Sequence, residues 1–218
     1  MQTTRHHAAE TERPENRAVR PRVYLAGPDV FMPNAVAVGR TKTDMLAKFG
    51  LEGVFPLDVE LSVGDLAPVE LARRISLTNE ALMRSCDALI ANLTPFRGVS
   101  VDAGTAFEIG FMRALQRPVL GYSAVAEDFA ARSRLWRGGT GSDASALHDV
   151  KVRIGECDRV DWHVEDFGLA DNLMIAVAIS ESGLDPQVGR EAGPEAIDAV
   201  DAFEACARWL ARHLSNDG

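Results

Sequence analysis

Hydrophobic and polar positions divide this chain into a sequence of short, distinct elements. Residues 1–21 are polar, charged and without periodicity, which predicts a disordered arm. At Arg22 the pattern changes. "RVYLAG" (22–27) is a short β-rich run closed by Gly-Pro, predicting a buried strand and then a loop. Residues 35–49 repeat apolar side chains at helical spacing (Val38, Met45, Leu46, Phe49), with Gly50 as the stop. "GVFPL" (53–57) predicts a second strand, and 68–84 a second helix with Leu71, Ile75, Leu82 and Met83 as its apolar positions. "DALIANL" (87–93) is apolar on both faces, as parallel strands covered by helices tend to be. The loop "TPFRGVS" leads into a helix that contains Glu108, and "RPVLGY" (117–122) predicts a fourth strand. Residues 123–157 show no clear pattern apart from a loop at "RGGTGSDAS" (137–145). Beyond them, "RVDWHV" (159–164) predicts a fifth strand. "DNLMIAVAIS" (171–180) predicts an apolar helix with Asp171 or Asn172 near its start. "GREAGP" reads as a linker, and 194–214 as a strongly amphipathic final helix.

Strand and helix in alternation predict an open parallel α/β sheet, a single domain over 22–218. In such sheets ligands bind outside the carboxyl ends of the strands. Three segments converge there: "AGPDVF" after the first strand, "NLTPFRG" after the third, and the start of the Glu108 helix.

Composition narrows the partner. The net charge of −9 disfavours nucleic acid and anionic membrane surfaces, both of which call for clustered Lys and Arg. A small neutral substrate fits better. No apolar run reaches the roughly 18 residues of a membrane span, and the N-terminus lacks a signal-peptide core. Cys86, Cys157 and Cys206 are widely separated, with neither a disulfide framework nor a metal spacing. The expectation is a cytoplasmic protein without metal or cofactor; His6 and His7 read as part of a polar tail.

Glu108 is the unusual residue. It sits in "SVDAGTAFEIGF" (100–111) among Ala106, Phe107, Ile109, Phe111 and Met112, which leave little room for a polar face. Asp102 precedes it, and fits a helix N-cap equally well. Gly104 and Gly110 strip bulk from the same neighbourhood, and Gly110 predicts close approach of another group. The run has no P-loop lysine and carries two acids, which disfavours a phosphate cradle. A carboxylate in an apolar pocket can attack a sugar carbon with oxocarbenium character, if something keeps it ionised. Tyr24 on the first strand can donate such a hydrogen bond, or can be an ordinary core tyrosine. Asp29 in "GPDVF" is a candidate acid or a loop cap.

Three segments together, "VYLAGPDVF", "NEALMRSCDALIANLTPFRGVSVDAGTAFEIGFMRALQRPVLGY" and "VEDFGLADNLMI", resemble the nucleoside 2-deoxyribosyltransferases in order from residue 22 to 180. The resemblance implies a flavodoxin-like doubly wound fold and transfer of 2-deoxyribose between nucleobases through a covalent deoxyribosyl-enzyme. It implies Glu108 as the nucleophile, Tyr24 as the residue that holds it, and Asp102 as the acid that binds the sugar 5′-hydroxyl. It implies Asn172 as a second contact to that hydroxyl, reached from a neighbouring subunit, hence a homo-oligomer with shared sites. Some members carry an aspartate at the position of Asn79, facing the nucleobase; an amide cannot protonate a leaving base as an acid does. Asn92, Arg97 and Gly104 are expected to shape the pocket. Two rival functions follow. One is a hydrolase of the same fold acting on deoxynucleoside 5′-monophosphates, in which a small hydroxyl residue replaces the acid at the Asp102 position. The other is a sensor of nucleotides or sugars without turnover.

Overall fold

The computed structural model describes residues 20–58, 66–138, 164–190 and 199–214. Five parallel strands form one sheet in the order β2-β1-β3-β4-β5. They are β1 (Arg22–Ala26), β2 (Glu52–Val54), β3 (Ala88–Asn92), β4 (Val119–Ser123) and β5 (Gln187–Val188). This is the flavodoxin-like doubly wound order, whose winding direction reverses between β1 and β3. The sheet splits the core by the two-residue alternation of its strands. Val23, Leu25, Ala88, Ile90, Leu120 and Tyr122 face α1 (Ala35–Lys48) and α6 (Val200–Leu214). Tyr24, Ala26, Leu89, Ala91 and Val119 face α2 (Pro68–Arg84), α3 (Ala103–Ala114) and α5 (Leu173–Ser180).

The structure adds to these expectations at three points. The described fifth strand is Gln187–Val188, paired to β4 through Tyr122↔Gln187 and Ser123↔Val188. A two-residue strand has too little sequence to show alternation. The run expected for that strand, 159–164, lies outside the described residues except for Val164, as do the 1–19 arm, Cys157, most of the 137–145 loop and the start of the final helix. A helix, α4 (Phe129–Gly138), occupies part of the segment without clear pattern. The apolar positions of α2 are not all inward: Met83 is buried, whereas Ile75, Leu77 and Val69 are exposed. The last turn of α2 carries its contact with the sheet core, so periodicity identified the helix but not its cover.

Two features fix the crevice at the reversal. Gly27 sits at φ 149°, a region open essentially to glycine, and a Cβ there would lie 2.6 Å from Asn92 Cβ. The β1 loop can therefore turn flat against the end of β3, where Pro28–Phe31 forms a short 3-10 turn. Beneath it, Lys42 of α1 is buried with Asp29, its Nζ 2.9 Å from Asp29 Oδ1, and it donates a hydrogen bond to Tyr122 Oη. Asn92 donates to the same Asp29 oxygen at 3.2 Å and accepts from the Thr94 amide. Both charges are out of water, so each depends on the other. Lys42→Met strands the Asp29 carboxylate and is expected to lower unfolding free energy by about 3–5 kcal/mol, measured by chemical denaturation. Unchanged stability would show that the pair does not hold the loop.

Candidate active site

In a doubly wound sheet the ligand site is expected at the reversal between β1 and β3, where the Gly27–Phe31 turn, the loop after β3 and the start of α3 follow the strands. Asp102 caps α3, its Oδ2 accepting from the Gly104 amide at 3.0 Å. The helix buries Thr105, Ile109 and Met112 against the sheet and exposes Phe107. Glu108 lies at the edge of that buried stripe, half in and half out. Tyr24 is fully buried on β1 and points at the same helix; its Oη donates to Glu108 Oε1 at 2.8 Å. The ring of Tyr24 belongs to the same apolar cluster as Met83, Leu89 and Ile109, while its hydroxyl meets the acid.

Electrostatics at this pair favour a poised carboxyl. Burial pushes Glu108 up to about 7; the Tyr24 hydrogen bond opposes the rise, and the nearby Asp102 charge adds to it. Tyr24 is itself pushed far above the ordinary phenol value by burial and by the Glu108 charge, so it remains a donor throughout the working range of pH. Desolvation is the larger effect, and the hydrogen bond partly offsets it.

The remaining sequence candidates separate into those at the mouth and those beneath it. Gly104 is exposed, and a Cβ there would meet only Asp102 Oδ2 at 3.0 Å. Gly110 is also exposed, and a Cβ there would have nothing within 4 Å, so the expected close approach at Gly110 is absent among the described residues. Asn79 is half-buried on α2, the helix beside α3. Asp29 and Asn92 are buried and engaged in the Lys42 cluster. Asp29 is the partner of Lys42 in a buried ion pair, which weighs against it as the acid for a leaving base. Asn172 caps α5, its Oδ1 accepting from the Met174 amide at 3.0 Å, while its Nδ2 donates to both Glu165 oxygens at 3.0 Å. Both ends of this amide are engaged within the chain.

Sequence reasoning named Arg97 but missed the aromatic pair it covers, and it missed a buried ion pair. Phe31 and Phe96 stack at 5.2 Å between centroids, with the Arg97 guanidinium 4.6 Å from each, at the rim of the opening. Their positions in two separate loops gave no periodic signal. Arg132 of α4 and Asp171 form a buried ion pair at 3.5 Å behind Asp102. Rather than capping α5, Asp171 accepts from Ser100 Oγ, the Val101 amide and the Asn172 amide. Among the described residues no cluster of His, Cys, Asp and Glu is arranged to hold a metal ion, and no helix is long and apolar enough to cross a membrane.

Its relatives place this flavodoxin-like α/β sheet among enzymes acting on nucleosides or nucleotides. The profile of the nucleoside 2-deoxyribosyltransferases matches residues 23–174, well over half of the chain. The chain belongs to that family. It is 32% identical over 201 residues to an uncharacterized protein of Schizosaccharomyces pombe, covering 90% of this chain and 91% of the relative. It is also similar in structure to a 2-desoxiribosyltransferase from Leishmania mexicana, with a TM-score of 0.52 and 27% identity over 84% of this chain and 97% of that one.

The Glu108 shift has a definite sign. A carboxyl whose folded value is raised contributes stability that is complete below the unfolded value of about 4.5 and is lost as pH rises through about 7. Glu108→Gln is expected to flatten that part of the stability–pH curve in denaturation experiments. Carboxyl NMR should find Glu108 titrating near 7, and Tyr24→Phe should move it higher, because the lost bond is the one that lowers it. A Glu108 titration near 4.5 would refute the desolvated pocket.

Proposed function

We propose that this protein transfers 2-deoxyribose between nucleobases, acting on free 2′-deoxynucleosides through a covalent deoxyribosyl–Glu108 intermediate. The observation that carries the reading is the 2.8 Å hydrogen bond from buried Tyr24 to Glu108 in the crevice of the sheet. Ionised Glu108 attacks C1′ of the donor as the glycosidic bond breaks, and its charge stabilises the oxocarbenium-like transition state. Tyr24 fixes which oxygen is hydrogen-bonded and leaves the other for attack. The departing base takes a proton from water, since Asn79 carries an amide and Asp29 is ion-paired. A ring nitrogen of the incoming base then attacks C1′, releasing the carboxylate and a proton. Two displacements restore the starting configuration. No cofactor is needed, because no electrons change hands.

The 5′-hydroxyl is read by Asp102, whose carboxylate also caps α3, with Asn172 as a second contact. Small-molecule nucleosides and bases, not nucleic acid, are the partners, and the work is nucleotide salvage in the cytoplasm. Exposed Phe107 on α3 and Met174 and Val177 on α5 give the chain an apolar surface beside the site that suits a second copy, so the protein is read as a homo-oligomer with shared sites.

Incubating the protein with thymidine or deoxyinosine and free adenine, then separating the products, tests the activity. Deoxyadenosine is the expected product; release of free deoxyribose without exchange would instead mark a hydrolase, and no change a sensor. The kcat/KM profile should rise with pH through an inflection near 7, as Glu108 loses its proton. Glu108→Ala should cost on the order of 4–8 kcal/mol in the barrier while leaving the circular dichroism spectrum unchanged. Mixing Glu108→Ala with Asn172→Ala subunits should restore part of the activity; no restoration, with subunit exchange demonstrated, would assign each Asn172 to its own chain's site.

At the 5′ position a phosphate would bring about two negative charges against Asp102. Deoxynucleosides should be good substrates and their 5′-monophosphates poor ones. Asp102→Ser removes the charge yet keeps a favourable helix cap, so it should narrow or invert the preference without unfolding α3. Equal kcat/KM for both substrates on the parent enzyme would remove Asp102 from this role.

A further inference from the structure

The loop that carries Asp102 is held from behind by a buried knot. Arg132 is 5% exposed and Asp171 1%. The Arg132 guanidinium donates to Val99 O at 2.8 Å, to Ala170 O at 2.7 Å and to Glu127 O, and lies 3.5 Å from Asp171 Oδ2. That same Oδ2 accepts from the Val101 amide at 3.0 Å, one residue before Asp102. Oδ1 accepts from Ser100 Oγ and from the Asn172 amide, the latter at 2.7 Å. Every residue from Val99 to Val101 is thus tied by a carbonyl, hydroxyl or amide to one charge pair, and Asn172 hangs from its other end. The two groups read as 5′-hydroxyl contacts are neighbours in the chain of residues that this pair fixes. Glu127, Asp128 and Asp171 are the acidic groups around the guanidinium, and they leave it no reason to seek the substrate.

We infer that Arg132 is a positioning residue for 5′-hydroxyl recognition: through Asp171 it sets the place of Asp102 in its own chain's site and of the Asn172 read as reaching the neighbouring subunit's, and so the discrimination between substrates with and without that hydroxyl. The inference rests on the reading of Asp102 given above. Arginine suits the task because a planar fork can serve three carbonyls and a carboxylate at once; the single ammonium of lysine cannot reach them all. A pair that only held the fold together would affect all substrates alike. A pair that positions Asp102 affects those that carry the hydroxyl.

The test compares a 2′-deoxynucleoside with its 2′,5′-dideoxy analogue in base exchange, on the full chain. Arg132→Lys, and Ser100→Ala as a milder change at the other end of the knot, are made alongside Asp102→Ala. The parent should prefer the substrate with the hydroxyl, and Asp102→Ala should abolish that preference. Arg132→Lys should lower kcat/KM for the deoxynucleoside about tenfold or more and leave the dideoxy analogue within about twofold, with Ser100→Ala shifting the ratio in the same direction. Equal losses on both substrates, or an unchanged ratio in both variants, overturn the inference while the Asp102 control stands. If Asp102→Ala leaves the preference intact, the reading of the 5′ site itself fails, and the positioning role with it. Should Arg132→Lys not fold, as judged by circular dichroism, the Ser100→Ala ratio decides alone.

Discussion

Much of this structure turns on one hydrogen bond between elements far apart in sequence. Tyr24 and Glu108 are separated by 84 positions and meet at 2.8 Å where β1 and α3 face each other. The contact needs β1 and β3 side by side, with α3 returning over the face that Tyr24 shares with Leu89. It also needs the tyrosine ring buried, so that its hydroxyl has the carboxyl as its partner rather than bulk water. The same burial raises Glu108 and is partly countered by the bond it creates. A carboxyl that is partly desolvated and still able to ionise near neutral pH is the outcome of that opposition.

Around this bond, the polar interior is concentrated in two knots on either side of the crevice. Asp29, Lys42, Asn92 and Tyr122 fasten the turn after β1 to α1, β3 and β4. Arg132 and Asp171 fasten the loop before α3 to α4 and α5. Buried ion pairs add little net stability, because desolvation offsets their attraction. What they supply is direction, since each carbonyl and amide has one satisfied place. Both knots lie under loops at the carboxyl end of the sheet, where apolar packing alone leaves loop backbone unfixed.

The helices on the α2–α3–α5 face follow a different rule. The α5 segment is apolar almost throughout, yet only Ala176 and Ile179 are buried. A helix apolar on all sides is usually enclosed. Here Met174 and Val177, with Phe107 of α3, stand in solvent in the single chain. The final helix, by contrast, presents Phe203, Cys206, Ala207 and Leu210 to the sheet and polar residues to water, as its amphipathic pattern required.

The local pattern was enough for the first four strands and singled out Glu108 as a candidate. Alternation of strand and helix, the doubly apolar run of β3, and a glutamate set among apolar neighbours are properties of adjacent residues, and the structure reproduces the elements in that order from β1 through β4. The stop at Gly50 and the cap at Asp102 were legible for the same reason, because each is satisfied by its own helix end. What sequence could not give is everything decided by contact at a distance. Asp29 reads in isolation as a catalytic acid or a loop cap; Lys42, a helix away, occupies it. Asp171 reads as a helix start; Val101 and Arg132 meet it from other elements. Gly110 promises a close neighbour and has none among the described residues. Periodicity records which side of a helix avoids water; only the assembled sheet determines which charge each buried charge will face.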